Sequence, residues 1–159
     1  MRQLFAGKRV LELGAGQGLV TCCIHRLLCP AQFTATEYVP EVLDQLRMNL
    51  IYNGCQAEQV KTMLFDWDRA PEFPELQNQF DVVVGSDVIW DEQASDAVLK
   101  AARYLLVPSG LLLLSFVARS TYLREYLERT RELKLEYSTL LDHGQNGQEV
   151  LIYLFRHTQ

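Results

Sequence analysis

Residues 10–19 read Val-Leu-Glu-Leu-Gly-Ala-Gly-Gln-Gly-Leu, three glycines at alternate positions behind an apolar run. Glycine adopts backbone conformations closed to other residues and lets the main chain lie close against a ligand. A helical pattern follows, and the first turn of a helix offers amide N–H groups without partners. These are the parts of a loop that carries a nucleoside-containing ligand, or, in the plainer alternative, of a tight strand-to-helix turn. The spacing narrows the ligand. A dinucleotide loop uses G-x-G-x-x-G with a pyrophosphate on the helix N-terminus, and the third glycine of that pattern would fall on Leu19. Glu12 stands two places before Gly14. A carboxylate at the mouth of the loop repels a pyrophosphate and suits an ammonium group. S-adenosylmethionine carries an ammonium and a sulfonium and no phosphate, so it is the cofactor this loop favours.

Further acids and aromatics close expected strands. Glu37-Tyr38 closes one of them, at about the spacing where nucleotide folds place an acid that accepts from both ribose hydroxyls. The alternative is an exposed strand-end acid. Phe65-Asp66-Trp67 closes another. Asp66 is a candidate acceptor for the adenine amino group; Trp67 either packs beside the base or plugs the loop as core. A fourth run ends in Gly85-Ser86-Asp87-Val88-Ile89-Trp90-Asp91. Here Asp87 can orient an incoming amine, and the negative face of the Trp90 ring suits a cationic neighbour. The competing reading is a helix cap at Asp87 and a core tryptophan at Trp90.

The elements that must position these residues alternate strand with helix. Strands are expected over 8–13, 32–37, 60–65, 80–85 and 111–116, with helices over 18–28, from Pro40 to the Asn53-Gly54 stop, over 95–106 and over 121–133. A Pro108-Ser109-Gly110 turn precedes the fifth strand, and residues 66–79 form a loop rich in proline and acid. Two last strands, over 135–140 and 150–155, flank a His143–Gly147 stretch with hairpin turn chemistry. Serial β-α repeats require a doubly wound, Rossmann-like α/β sheet, mostly parallel, with the terminal hairpin adding an antiparallel edge. Ligands of such sheets bind beyond the C-terminal strand ends, where the acids and glycines lie. The first and fourth strands are expected as neighbours, which sets the Asp87 loop facing the transferable methyl group.

Composition bounds the rest. The chain has 159 residues, enough for one domain with a real core, and 48% of them are hydrophobic against 22% charged. The net charge of −5 argues against a nucleic-acid surface. Arg119, Arg124, Arg129, Arg131 and Lys134 gather late in the chain, but Glu125, Glu128 and Glu132 interleave with them, as on a solvated helix face. Cys22, Cys23, Cys29 and Cys55 form no C-x-x-C pair and do not cluster with His25, His143 or His157, so no metal site is expected. The thiols read as reduced and the compartment as intracellular: cytoplasm, with the nucleus as a second location. No leader is visible, and the longest apolar run, 111–118, is too short to span a bilayer. The expected state is a monomer.

Glu12-Leu13-Gly14-Ala15-Gly16-Gln17-Gly18 resembles the first motif of class I, seven-strand S-adenosylmethionine-dependent methyltransferases. With Thr36-Glu37-Tyr38, Phe65-Asp66-Trp67 and Asp81 to Trp90, nearly the whole chain is similar to the protein-lysine methyltransferases marked by an Asp-x-x-Tyr motif after the fourth strand. The resemblance implies methyl transfer to a protein lysine, with Asp87 and Trp90 at the reaction. It places Glu12, Gly14, Ala15, Gly16, Gly18, Glu37, Tyr38, Asp66, Trp67 and Ser86 on the cofactor. Two departures stand out. The motif's aromatic is Trp90, which has no phenol to bond an amine. Only Met1 to Gly7 precede the first strand, where relatives carry a lid segment, so the expectation is a single domain without the lid, either because the chain is trimmed or because the protein lacks it. Those departures keep two alternatives in view, a small-molecule methyltransferase and a catalytically impaired interaction module on the same fold. A nucleic-acid amino-methyltransferase is disfavoured because Val88-Ile89 stand where it would carry two prolines.

Overall fold

A computed structural model describes residues 2–55, 58–89, 92–117, 135–145 and 148–157, with the backbone alone for 92, 117, 135–145, 148–153 and 157. A short helix α1 (Arg2–Phe5) leads into β1 (Arg9–Leu13), α2 (Leu19–Leu28), β2 (Gln32–Glu37), α3 (Pro40–Tyr52) and β3 (Val60–Leu64). Then come β4 (Phe80–Ser86), α4 (Glu92–Leu105), β5 (Leu106–Val117), β6 (Leu135–Gln145) and β7 (Gln148–His157). The strands form one sheet in the order β3-β2-β1-β4-β5-β7-β6. The first five pair in parallel, and β7 is antiparallel to both β5 and β6. The doubly wound sheet and its antiparallel edge are as the β-α alternation requires.

Side-chain alternation along the central strands splits the core in two. Val10, Val82 and Val84 face a cluster with Phe33, Ile24, Leu43, Leu46 and Leu50. Leu11, Leu13, Val83, Leu112 and Leu114 face the opposite cluster, with Val98, Leu99, Ala102 and Leu105. Strands covered on both faces read as continuous apolar runs, which is why 80–85 and 111–116 were visible in the sequence. Pro40 occupies the first turn of α3, where its missing N–H costs nothing. None of the described helices is long and apolar enough to cross a membrane.

Four differences from the sequence expectation have local causes. Helix α1 exists because Phe5, 1% exposed, seals the second cluster; four residues are too few to show a period. The 66–79 loop contains two 3₁₀ turns, Trp67–Glu72 and Pro74–Leu76. Pro108-Ser109-Gly110 does not precede β5 but lies within it. Leu106 pairs with Phe80 and Leu111 with Val82, so the intervening residues bulge from the ladder, with Ser109 at φ 67. The hairpin strands run longer than expected, and pairing continues through His143↔Val150 to Gln145↔Gln148. The helix expected over 121–133 lies outside the described residues.

Candidate functional site

The glycine loop sits where β1 and β2 end and α2 begins. It is sewn to β2 by three bonds: Ala15 N–H donates to the Thr36 carbonyl (2.8 Å), the Thr36 hydroxyl donates to the Glu12 carbonyl (2.6 Å), and Gly16 N–H donates to Glu37 Oε2 (3.1 Å). Asn49 of α3 adds a fourth tie, Nδ2 donating to the Gln17 carbonyl (2.9 Å). The glycines serve different ends. At Gly14 a Cβ would fall 3.0 Å from Val88 Cγ1 and 3.3 Å from Trp67 Cζ3, so the position is closed by packing. At Gly18, the N-cap of α2 with φ 88, a Cβ would overlap Leu46 Cδ1 at 2.6 Å. At Gly16 a Cβ would meet nothing within 4 Å, and the open space there faces solvent or ligand. Gly18, the N-cap of α2, offers no side-chain acceptor to the first-turn N–H groups above the loop.

Glu37 is 7% exposed and ties the loop to the next turn. Its Oε1 accepts from Tyr38 N–H (2.9 Å) and Val39 N–H (3.2 Å), and its Oε2 from Gly16 N–H. A carboxylate offers about four lone-pair sites; bonds among the described residues use three, two on Oε1 and one on Oε2, beside Gly16. Tyr38, next in the chain, is 60% exposed.

Glu12 does not stand at the open mouth of the loop, as the sequence suggested. β1 turns its side chain into the second cluster's face, where it is 2% exposed and accepts from the Thr21 hydroxyl in the first turn of α2. Burial pushes its pKa up to about 7, with the Thr21 bond pulling the other way. Strand alternation made this readable: Val10 and Glu12 share a face, and that face is covered.

Asp66 caps the 3₁₀ turn after β3, its Oδ1 accepting from Asp68 N–H (3.0 Å). Trp67 is half-buried with its ring edge against Gly14, which brings the ends of β1 and β3 together. Ser86 and Asp87 are exposed at the end of β4. Asp87 is left-handed (φ 55) and its N–H donates to the Ser115 carbonyl (2.7 Å). Trp90 lies outside the described residues. The structure therefore gathers Gly14, Ala15, Gly16, Gly18, Glu37 and Trp67 beyond the C-terminal ends of β1, β2 and β3, with Asp87 at the adjacent end of β4 (Leu13 registers with Gly85). Sequence reasoning missed Thr21, Thr36, Asn49 and Val88. Thr36 adjoins Glu37 and Val88 adjoins Asp87 in the chain, which is the signal that could have found them.

A parallel sheet of this order, with a glycine loop and strand-end acids, defines the Rossmann-like methyltransferase fold. Fibrillarin of Aeropyrum pernix, solved with natively bound S-adenosyl-L-methionine, shares it at TM-score 0.77 and 20% identity over 95% of this chain and 67% of that one. The lysine methyltransferase family model matches residues 2–133, and the chain belongs to that family. It is 29% identical over 156 residues to the EEF1A lysine methyltransferase 3 of Mus musculus, covering 98% of this chain and 64% of that protein. It is 31% identical over 150 residues to the protein N-lysine methyltransferase METTL21A of Danio rerio, covering 92% and 65%. Against the mouse protein-lysine N-methyltransferase EEF2KMT it is 28% identical over 111 residues, 64% of this chain and 33% of that protein. The chain thus spans 33% to 65% of the length of these relatives.

Proposed function

We propose that this chain carries methyl transfer from S-adenosylmethionine to the side-chain amine of a lysine in a protein, in the cytoplasm or nucleus and as a monomer. The observation that carries the reading is the Glu37–Gly16 bond beside open space. It presents one spare carboxylate lone pair and a side-chain-free backbone at the point where a ribose diol must sit, and family membership supports it. The residues fit the cofactor: Glu37 Oε2 accepts from ribose, the first-turn amides of α2 meet the carboxylate of the amino-acid tail, and Trp67 walls the adenosyl side.

Bound S-adenosylmethionine supplies an electrophilic methyl on a positively charged sulfur. The protein supplies position and exclusion of water. A lysine amine must be neutral to attack, and its solution pKa is near 10.4. Asp87, exposed beside the cleft, accepts a hydrogen bond from the incoming amine and fixes its lone pair toward the methyl. Trp90 shields the reacting centre. Glu12 stays behind the loop, bonded to the Thr21 hydroxyl in the first turn of α2.

The test is transfer of a labelled methyl group into a cell extract. A labelled protein band that disappears when the extract's lysines are acetylated beforehand is the expected result. Label confined to small molecules, or no binding of cofactor by calorimetry, overturns the reading.

A further inference from the structure

We propose that Val88 is a positioning residue that sets the acceptor loop against the cofactor loop, an inference that rests on the methyl-transfer reading above. Val88 is 4% exposed and belongs to the cluster with Leu11, Leu13, Phe65 and Val83, although it lies outside any strand. Its two methyl groups are wedged between two strand ends. Cγ1 lies 3.0 Å from where a Cβ on Gly14 would sit, and Cγ2 lies 2.7 Å from where one on Gly85 would sit. Those glycines lie at the ends of β1 and β4, which pair directly. Each therefore clears the space that one methyl fills.

The chain reversal that drives Val88 inward is the left-handed Asp87, whose N–H is held by the Ser115 carbonyl of β5. One residue points down between the strands while its neighbour stands exposed beside the cofactor cleft. Because valine is stiff at χ1, how Val88 fills its slot fixes where the backbone of Asp87, its neighbour in the chain, is held relative to the glycine loop. On the far side of Gly14 lies Trp67, so the same contact point registers the end of β3. Ordering of the glycine loop by a bound nucleoside is thereby felt at Asp87 through one side chain.

The test is amide hydrogen exchange on the full chain, with and without S-adenosylhomocysteine, the demethylated product, and it requires no knowledge of the acceptor. In the unsubstituted protein, saturating product slows exchange of the Asp87 amide by about tenfold, within the range of ordinary site-to-site coupling. In Val88→Ala, product affinity stays within about threefold and the slowing at Asp87 disappears. Val88→Thr, which keeps both γ branches, retains it. Should Val88→Ala not fold, Val88→Cys removes one branch only and gives a reduced version of the same loss. The proposal is overturned if the truncated variants bind product and still slow Asp87, or if affinity and global stability fall together with the coupling intact. If the unsubstituted protein binds no product, the methyl-transfer reading fails first, a result distinct from loss of coupling in a variant that binds.

Discussion

Glu12 gives the folded protein a pH dependence whose size follows from its burial. Its carboxyl titrates at about 7 in the fold against a reference of 4.5. A raised acid means that the native state holds a proton the unfolded chain has released. Stability is therefore full below pH 4.5 and falls as pH rises toward 7, after which both states are ionised and this contribution is flat. At about 1.4 kcal/mol per unit the loss is about 3 kcal/mol, a large part of a typical domain's stability. Glu12→Gln removes the ionisation and keeps an oxygen for the Thr21 hydroxyl. The assay is urea unfolding from pH 4.5 to 8.5 on both proteins. Subtracting one curve from the other cancels every other titrating group, including Asp81, where burial opposes but bonds from the Arg9 amide and guanidinium prevail to lower the pKa. The difference should grow in favour of the glutamine variant by about 3 kcal/mol across that window. Parallel curves would refute the reasoning, because they would mean that Glu12 is charged and solvated in the fold.

Three other substitutions probe the cleft. Glu37→Gln leaves one of three backbone N–H groups without an acceptor and should weaken S-adenosylhomocysteine binding by about tenfold or more, read by calorimetry. Gly18→Ala places a Cβ 2.6 Å from Leu46 Cδ1 at φ 88, and thermal unfolding should show a loss of at least about 1–3 kcal/mol from backbone strain alone. Asp87→Ala should abolish labelling of the extract while leaving calorimetric binding of S-adenosylhomocysteine within about threefold; equal losses in both would remove the acceptor role from Asp87.

The sequence disclosed what rests on period and spacing. Residues 32–37 read correctly because Phe33 and Ala35 alternate with polar residues between two helical patterns, and 40–52 because Pro40 fixes a helix start. The cleft's glycines and acids read as a set because a parallel sheet delivers its strand ends to one edge. What remained hidden depends on which way a side chain turns and on what meets it across the fold. Glu12 looked like a rim acid because its position counts from Gly14 along the chain, whereas its burial counts from Val10 across the strand. Glu37 was read for what it would offer a ribose, but most of its acceptor capacity is spent on Gly16, Tyr38 and Val39. Asp66 likewise caps a turn that its own sequence neighbours form. The acids of this site thus have a common property: each builds the loop that it also serves. An acid-to-amide change at Glu37 or Asp66 should therefore disturb backbone and ligand together, whereas at Asp87, exposed at the end of β4, methyl labelling and product binding are the two readouts to set against each other.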